Sequence, residues 1–218
     1  MNCSLIGFFW VCSVSHPVLL QFRFITRDKK QMKGSIFHAL ESLVLQYRDM
    51  GYWNALLAKN TPEGRCYVSV NNYPDAELNA LVADICEELQ LEPNVVLTVF
   101  GRHLFAHLMQ HYHVVVSRFQ HFEALILNIN NVIHKEVNKL HQGANLPIMR
   151  CMMITSGHIE MHYISQRRLC ILAEGLIYGA AEHFKMEVKI KHPKCQHRGD
   201  EACILDIYYT PLVKNTNA

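Results

Sequence analysis

The first half of the chain carries apolar side chains at helical spacing. The stretch from Ile36 to Tyr47 repeats its apolar positions along one face and predicts a helix. Turn-forming residues at positions 61–74 predict a loop, and Asp75 after them can cap a second helix. Pro93 can open a third helix that continues to about Tyr112. This half is therefore predicted to be helical.

The second half begins with one more helical stripe and then changes its period. Ser117 can cap a long helix that Gly143 would end. Beyond Pro147 the pattern predicts two strands joined around Gly157, then a helix, then two more strands, at 148–154, 158–164, 167–184, 187–191 and 203–209. The predicted fold class is α+β: a helical part followed by a four-stranded antiparallel sheet with helices.

Composition and charge add broad limits. Half of the 218 residues are apolar, which is enough for a substantial core. The net charge of +2 gives no indication of a nucleic-acid or membrane partner. Eight cysteines are spread over a chain too long to need a disulfide scaffold. We therefore expect reduced thiols in a cytoplasmic protein.

Residues 1–31 are predicted to be an extension, or the product of a start codon assigned too far upstream. The apolar run from Leu5 to Val14 is too short to span a membrane and lacks the positive start of a signal peptide. A membrane-associating segment stays open as the lesser alternative. Patterned sequence begins at Met32. The predicted domain covers 32–210, with a helical part at about 32–95, the remainder at about 96–210, and a tail at 211–218.

His134 lies at the edge of the apolar stripe of its predicted helix. A neutral imidazole there could point a ring nitrogen into a buried cavity, which is the geometry of a proximal haem ligand. The 14 histidines of the chain favour metal or haem binding modestly. Taken alone, however, such a histidine is more often a packed or half-exposed residue.

Tyr163, Ser165 and Arg167 are spaced two apart, so an extended backbone would place them in one row. All three side chains can donate hydrogen bonds, and arginine pairs well with carboxylates. The two propionates of haem would suit such a row. By spacing alone, a strand end with exposed polar residues explains the pattern better.

Several motifs together resemble the haem nitric-oxide/oxygen-binding (H-NOX) family. Tyr163-Ile164-Ser165-Gln166-Arg167 fits the Y-x-S-x-R signature of that family. Met32-Lys33-Gly34-Ser35-Ile36 resembles the start of bacterial members, which stand alone as single domains. Phe100-Gly101-Arg102 and the stretch Asn131 to Val137 resemble its mid-chain and proximal segments. The likeness runs in order from about Met32 to Tyr209.

The resemblance implies a fold with haem b between a helical part and a sheet part. His134 would be the axial iron ligand, and Tyr163, Ser165 and Arg167 would hold the propionates. Pro147 matches the proline that presses on the porphyrin in this family. Nitric oxide weakens the bond between iron and this histidine in the family, which would release the helix and switch the domain. Many members have Tyr-Pro-Gly where this chain has His-Gln-Gly at 141–143.

The resemblance also bears on which gas is bound. Oxygen-binding members carry a tyrosine at the position of Leu172, and Ile36, Leu40 and Leu176 match other distal positions. All four are apolar here, and core packing alone could explain them. Without a donor, bound oxygen would lose a stabilising hydrogen bond. We therefore expect nitric oxide and carbon monoxide to bind and oxygen to be excluded. Tyr178 is expected to face elsewhere.

Cys170, His192, Cys195 and Cys203 form a candidate zinc set. Four soft ligands suit structural zinc, and many bacterial members of the family carry such a site in this region. His197 is a competing ligand, and unpaired core cysteines are the plain alternative. Oxidation of zinc thiolates could provide a redox input.

His103, His107 and His111 lie four residues apart, so one helical face could chelate a metal. No carboxylate supports them. A solvated face is the preferred interpretation of these histidines.

The function predicted first is a gas-sensing binding module, not an enzyme. No phosphate loop or nucleophile–base pair is evident in the sequence. The output would then lie in a separate protein, typically a histidine kinase or a diguanylate cyclase in bacteria. A zinc–thiol redox sensor is the main alternative. A haem peroxidase is disfavoured because the expected distal side lacks acid–base groups.

Overall fold

The computed structural model describes residues 31–140 and 145–212. Its first part consists of helices with a short two-stranded antiparallel ladder in which Met32 pairs with Tyr73. In chain order the elements are β1 (Gln31–Lys33), α1 (Gly34–Val44), α2 (Met50–Asn60), β2 (Asn72–Pro74), α3 (Asp75–Leu89) and α4 (Pro93–Val116). This ladder pairs the first described residues with the segment that directly precedes α3.

The second part is a sheet with helices. Its elements are α5 (Phe122–Leu127), a π-helical turn (Ile129–Ile133), α6 (His134–Leu140), β3 (Ile148–Thr155), β4 (His158–Ile164), α7 (Cys170–His183), β5 (Met186–Lys194), a 3-10 turn (Gln196–Arg198) and β6 (Cys203–Pro211). The strands form one antiparallel sheet in the order β3-β4-β6-β5. The predicted α+β class is confirmed.

Two hydrophobic cores meet along α4 and α7, which serve both. Phe100 of α4 and Leu172 of α7 belong to the core of the helical part. Phe105 and Ile177, on the same two helices, pack into the core that lies on the sheet. Because each helix is apolar on two sides, α4 and α7 join the halves of the molecule.

Glycines allow α4 and α7 to cross at very short range. A Cβ atom built on Gly101 would lie 2.5 Å from the carbonyl oxygen of Leu172 and 2.7 Å from the Cα of Gly175. A Cβ on Gly175 would lie 2.5 Å from the carbonyl oxygen of Thr98. These distances leave no room for a side chain, so the crossing depends on both glycines.

Some sequence predictions about this fold were wrong. The long helix predicted from Ser117 is broken: Ser117 caps the C-terminus of α4, and α5 begins only at Phe122. The break lets Phe122 pack against the ring of Tyr209, with 5.2 Å between the ring centroids. This tertiary contact outweighs the local helical pattern. Helix α2 was not predicted, and the predicted loop at 61–74 ends in β2.

Asp75 does not act as the predicted helix cap. It is the first residue of α3, and no side chain caps that helix. Its carboxylate points instead to the guanidinium of Arg167.

The predicted extension at 1–31 lies outside the described residues except for Gln31, and so do Gly143 and the tail beyond Leu212. Among the helices of the described ranges, none is long and apolar enough to cross a bilayer.

Candidate functional site

A cavity of about 270 Å³ lies between the helical part and the sheet part. Its wall is mainly apolar and takes residues from both halves: Ile36, Leu104, Leu108, Leu125, Met161, Leu172 and Leu176. A concave apolar site with a few polar groups is the usual form of a cofactor pocket.

His134 lines this cavity directly after the π-helical turn. The turn is closed by the backbone N–H of Ile133, which donates to the carbonyl of Asn128 (3.3 Å). Such turns add a residue to a helix and are frequent at functional sites. Burial lowers the pKa of His134 to about 4, because the charged imidazolium loses solvent. The polar backbone of Pro147 nearby raises the pKa by a smaller amount. The imidazole is therefore neutral, and its buried Nδ1 has no hydrogen-bond partner among the described residues.

Tyr163, Ser165 and Arg167 line the same cavity, as the family resemblance implied, whereas their spacing alone favoured an exposed strand end. Tyr163 is the penultimate residue of β4, and the other two lie in the loop that follows. The backbone N–H of Arg167 donates to Oγ of Ser165 (3.2 Å). Burial raises the pKa of Tyr163, so its hydroxyl keeps its proton and can donate. We call these three residues the donor row, because they bring hydrogen-bond donors to a mainly apolar cavity.

Arg167 links the donor row to the helical part. Its Nε lies 2.9 Å from Oδ2 of Asp75, and its guanidinium contacts the carbonyl oxygen of Gln31. The two side chains of the ion pair are 11% and 9% exposed. Because the pair is nearly buried, its attraction is weakly screened by solvent. Asp75 was not predicted as a site residue.

Cys170, His192, Cys195 and Cys203 converge in the second half of the chain. One ligand atom from each lies within 4.8 Å of the others. Sγ of Cys195 lies 3.8 Å from Sγ of Cys170 and 3.9 Å from Sγ of Cys203. Burial raises the pKa of the thiols of Cys170 and Cys203. We call these four residues the Cys3His cluster.

The histidine of the Cys3His cluster is oriented as metal ligands usually are. Nδ1 of His192 lies 2.7 Å from Oε1 of Glu174, whereas its buried Nε2 has no hydrogen-bond partner in the described ranges. A carboxylate behind a ligating imidazole fixes the ring and leaves the other nitrogen for the metal. Three thiols and this nitrogen could therefore hold a metal ion. His197, the competing ligand, instead bonds the carbonyl of Arg168 through Nε2 (2.6 Å).

Comparison with known proteins identifies the family of the chain. The Haem-NO-binding family matches residues 33–192, which is more than half of the chain. The chain belongs to the H-NOX family.

Solved H-NOX structures agree with this assignment. The chain is similar to an H-NOX protein from Shewanella oneidensis in its Fe(II)NO state, with 40% identity, a TM-score of 0.81, and coverage of 82% of this chain and 99% of that one. The Fe(II)CO state of the same organism's domain gives 40% identity and a TM-score of 0.78, covering 82% and 99%. An H-NOX from Shewanella woodyi gives 28% identity and 0.73, covering 85% and 99%. No curated protein matches the chain.

H-NOX domains bind haem, and the cavity of this chain fits that group. The neutral imidazole of His134 is the form that ligates iron, and the donor row offers hydrogen-bond partners for carboxylates. Pro147 also lines the cavity, and it directly precedes β3.

The distal positions implied by the H-NOX resemblance divide into two groups. Ile36, Leu172 and Leu176 line the cavity. Leu40 is not among the lining residues: it is 1% exposed and packs inside the core of the helical part. Tyr112 lines the cavity but was not singled out from the sequence. It lies where α4 loses helical dihedral angles, with a φ of −118° and a ψ of 26°, a local irregularity that the sequence pattern does not mark.

The three histidines along α4 of this H-NOX domain have different surroundings. His103 is half-buried, and its Nε2 lies 2.6 Å from Oγ of Ser42, on α1. The rings of His107 and His111 stack, with centroids 4.5 Å apart; His107 is half-buried and His111 is exposed. The solvated face predicted from the sequence therefore holds for one histidine of the three.

Proposed function

We propose that this H-NOX domain senses nitric oxide. It binds nitric oxide and carbon monoxide at ferrous haem b, excludes oxygen, and regulates a separate signalling protein without catalysis of its own. The related structures in Fe(II)NO and Fe(II)CO states support the choice of ligands.

The apolar distal wall is the observation that carries the proposal. Ile36, Leu172 and Leu176 line the cavity with hydrocarbon only, and none can donate a hydrogen bond. Oxygen on ferrous iron develops negative charge and depends on such a donor, whereas nitric oxide does not. The wall therefore favours nitric oxide over oxygen.

The residues of this chain would have distinct tasks. Haem supplies an iron whose open side can take a diatomic gas. His134 would hold the iron from one side, and the donor row would hold the propionates. Since His134 is the first residue of α6, release of its imidazole would free the start of that helix. Arg167 would carry the change to Asp75 and thus to the helical part.

The output of the sensor is proposed to lie in a separate cytoplasmic partner. A histidine kinase and a diguanylate cyclase are the two candidates, since such enzymes commonly receive signals from stand-alone sensor domains. A partner that binds the two conformations of this domain with different affinities would be switched when nitric oxide shifts their populations.

Substitution at Leu172 tests the selectivity for gases. Leu172→Tyr adds a hydroxyl to the distal wall, and the ferrous protein should then change its absorption spectrum in air. Leu172→Phe matches the ring without the hydroxyl and should behave like the unmodified protein, as should Tyr112→Phe. Oxygen binding by the unmodified protein, or an equal gain in Leu172→Phe, would contradict the proposal.

A zinc–thiol redox sensor is the second candidate, and the convergence of the Cys3His cluster favours it. In that case the response would depend on Cys170, Cys195 and Cys203 but not on His134. Comparing His134→Gly with Cys195→Ser in an assay of partner regulation separates the two functions.

A further inference from the structure

A short turn at 195–201 connects two of the ligand cysteines. The backbone N–H of Gln196 donates to Sγ of Cys203 (3.3 Å). The backbone N–H of Cys195 donates to Oδ2 of Asp200 (2.7 Å), and the carbonyl of Cys195 accepts from the N–H of Asp200 (3.3 Å). The conformation of this turn is thus tied to the positions of Cys195 and Cys203 in the Cys3His cluster.

Two side chains of the turn reach the loop that carries the donor row. Oε1 of Gln196 accepts from the backbone N–H of Ser165 (3.2 Å). Nε2 of His197 donates to the carbonyl of Arg168 (2.6 Å). Arg168 has a φ of 56°, a left-handed conformation that a non-glycine residue keeps only when its surroundings hold it. The turn therefore supports both ends of the loop at 165–168.

The donor row sits between these supports. Arg167 lies between the two supported residues, and its backbone N–H bonds Oγ of Ser165. Tyr163, the remaining member of the row, pairs directly with Cys203 across β4 and β6. Every member of the donor row is therefore adjacent to a contact with the cluster or its turn.

We propose that Gln196 and His197 are positioning residues that couple metal occupancy of the Cys3His cluster to the donor row. A metal ion would fix Cys195 and Cys203 relative to each other and thereby fix the turn. The turn then holds Ser165 and Arg168, which set the row for binding carboxylates. Loss of the metal loosens the row. The consequence for haem retention rests on the function proposed above, whereas the mechanical coupling does not.

Amide exchange in the full-length protein tests the coupling without haem. Exchange of the Ser165 and Arg168 amides is followed by nitrogen-15 NMR on zinc-loaded protein and after chelation. Chelation and Gln196→Ala should each speed exchange at Ser165 roughly three- to tenfold, the effect of losing one hydrogen bond. The double variant Gln196→Ala/His197→Ala should keep zinc yet show no further response to chelation, because the connection is already broken.

Glu201→Ala is the matched control, because Glu201 offers Gln196 only its backbone carbonyl (3.2 Å). It should behave like the unmodified protein. In haem-loaded protein, transfer of haem to apomyoglobin should speed up by a similar factor on chelation. The proposal is overturned if the cluster takes up no zinc, if chelation leaves Ser165 exchange unchanged, or if the double variant still responds. Coupled exchange in a protein that takes up no haem would uphold the coupling and reject the proposed sensor function.

Discussion

The buried charged groups of the helical part of this H-NOX domain face opposite charges in ion pairs, whereas two buried histidines of the sheet part each have one nitrogen without a hydrogen-bond partner among the described residues. In the helical part, Glu77 accepts from Nη2 of Arg65 (2.6 Å) and from the hydroxyl of Tyr67 (3.0 Å). In the sheet part, buried nitrogens of His134 and His192 have no hydrogen-bond partner among the described residues. Buried polar groups are normally paired, so each of these nitrogens is available to a ligand. Both halves line the cavity, but the two imidazoles come from the sheet part, which begins with the segment of His134.

Two of the contacts that join the halves differ in kind. Arg167 pairs with Asp75 at the cavity, and α4 crosses α7 at Gly101 and Gly175. The first is a charged contact and the second is close steric packing. Variants that break each contact separately show how much that contact contributes to the stability of the domain.

Removal of the arginine should have the largest effect. Arg167→Met removes the guanidinium from the nearly buried carboxylate of Asp75, and loss of one partner of a buried ion pair costs about 3 kcal/mol. Urea unfolding of the haem-free chain measures the loss. The double variant Arg167→Met/Asp75→Leu should recover much of it, and no recovery would show that the ion pair is unimportant.

A methyl group at the helix crossing should have the next largest effect. In Gly101→Ala the added Cβ would meet backbone atoms at 2.5–2.8 Å, so α4 and α7 must move apart. Overpacking of this kind costs roughly 1–3 kcal/mol and should lower the melting temperature. Gly51→Ala is the control, because its Cβ meets only the Asp49 side chain, at 3.2 Å. Equal melting temperatures for the two variants would contradict the role of the crossing.

Acid should have the smallest effect of the three changes, and it should weaken the contact between His103 and Ser42 in the helical part. Burial lowers the pKa of His103, and its Nε2 bonds Oγ of Ser42. Between the folded pKa and about 6.5, the unfolded chain binds more protons, so stability falls as the pH falls. The advantage of the unmodified protein over His103→Gln should therefore shrink from pH 7 to pH 5. An advantage that grows on acidification would reverse the assigned direction.

The sheet was predicted well because its signal is local. The strands at 148–154 and 158–164 agree with β3 and β4 to within one residue, since alternation of apolar and polar positions is visible over a few residues. The break before Phe122 and the π-helical turn were missed. The break places Phe122 and Glu123 against the sheet, where the tilted ring of Tyr209 packs on Phe122 and its hydroxyl donates to Glu123 (2.6 Å). No local pattern records such contacts.

Site residues could be predicted where a sequence motif or a residue spacing marks them. His134 and the donor row came from the family resemblance, and the Cys3His cluster from residue type together with the expected hairpin. Asp75 was missed as a partner of Arg167, because the two residues are far apart along the chain. Leu40 was placed on the cavity wall although it packs into the helical core, because helix periodicity shows a buried face but not which buried space it meets.

Whether His134 holds haem iron beneath an apolar wall can be decided by an absorption spectrum of the purified ferrous protein. We expect a haem band that shifts when nitric oxide is added and does not shift in air. The His134→Gly variant should retain this band only when imidazole is added. A colourless protein, a haem band indifferent to nitric oxide, or a His134→Gly variant with the unmodified spectrum would contradict this expectation.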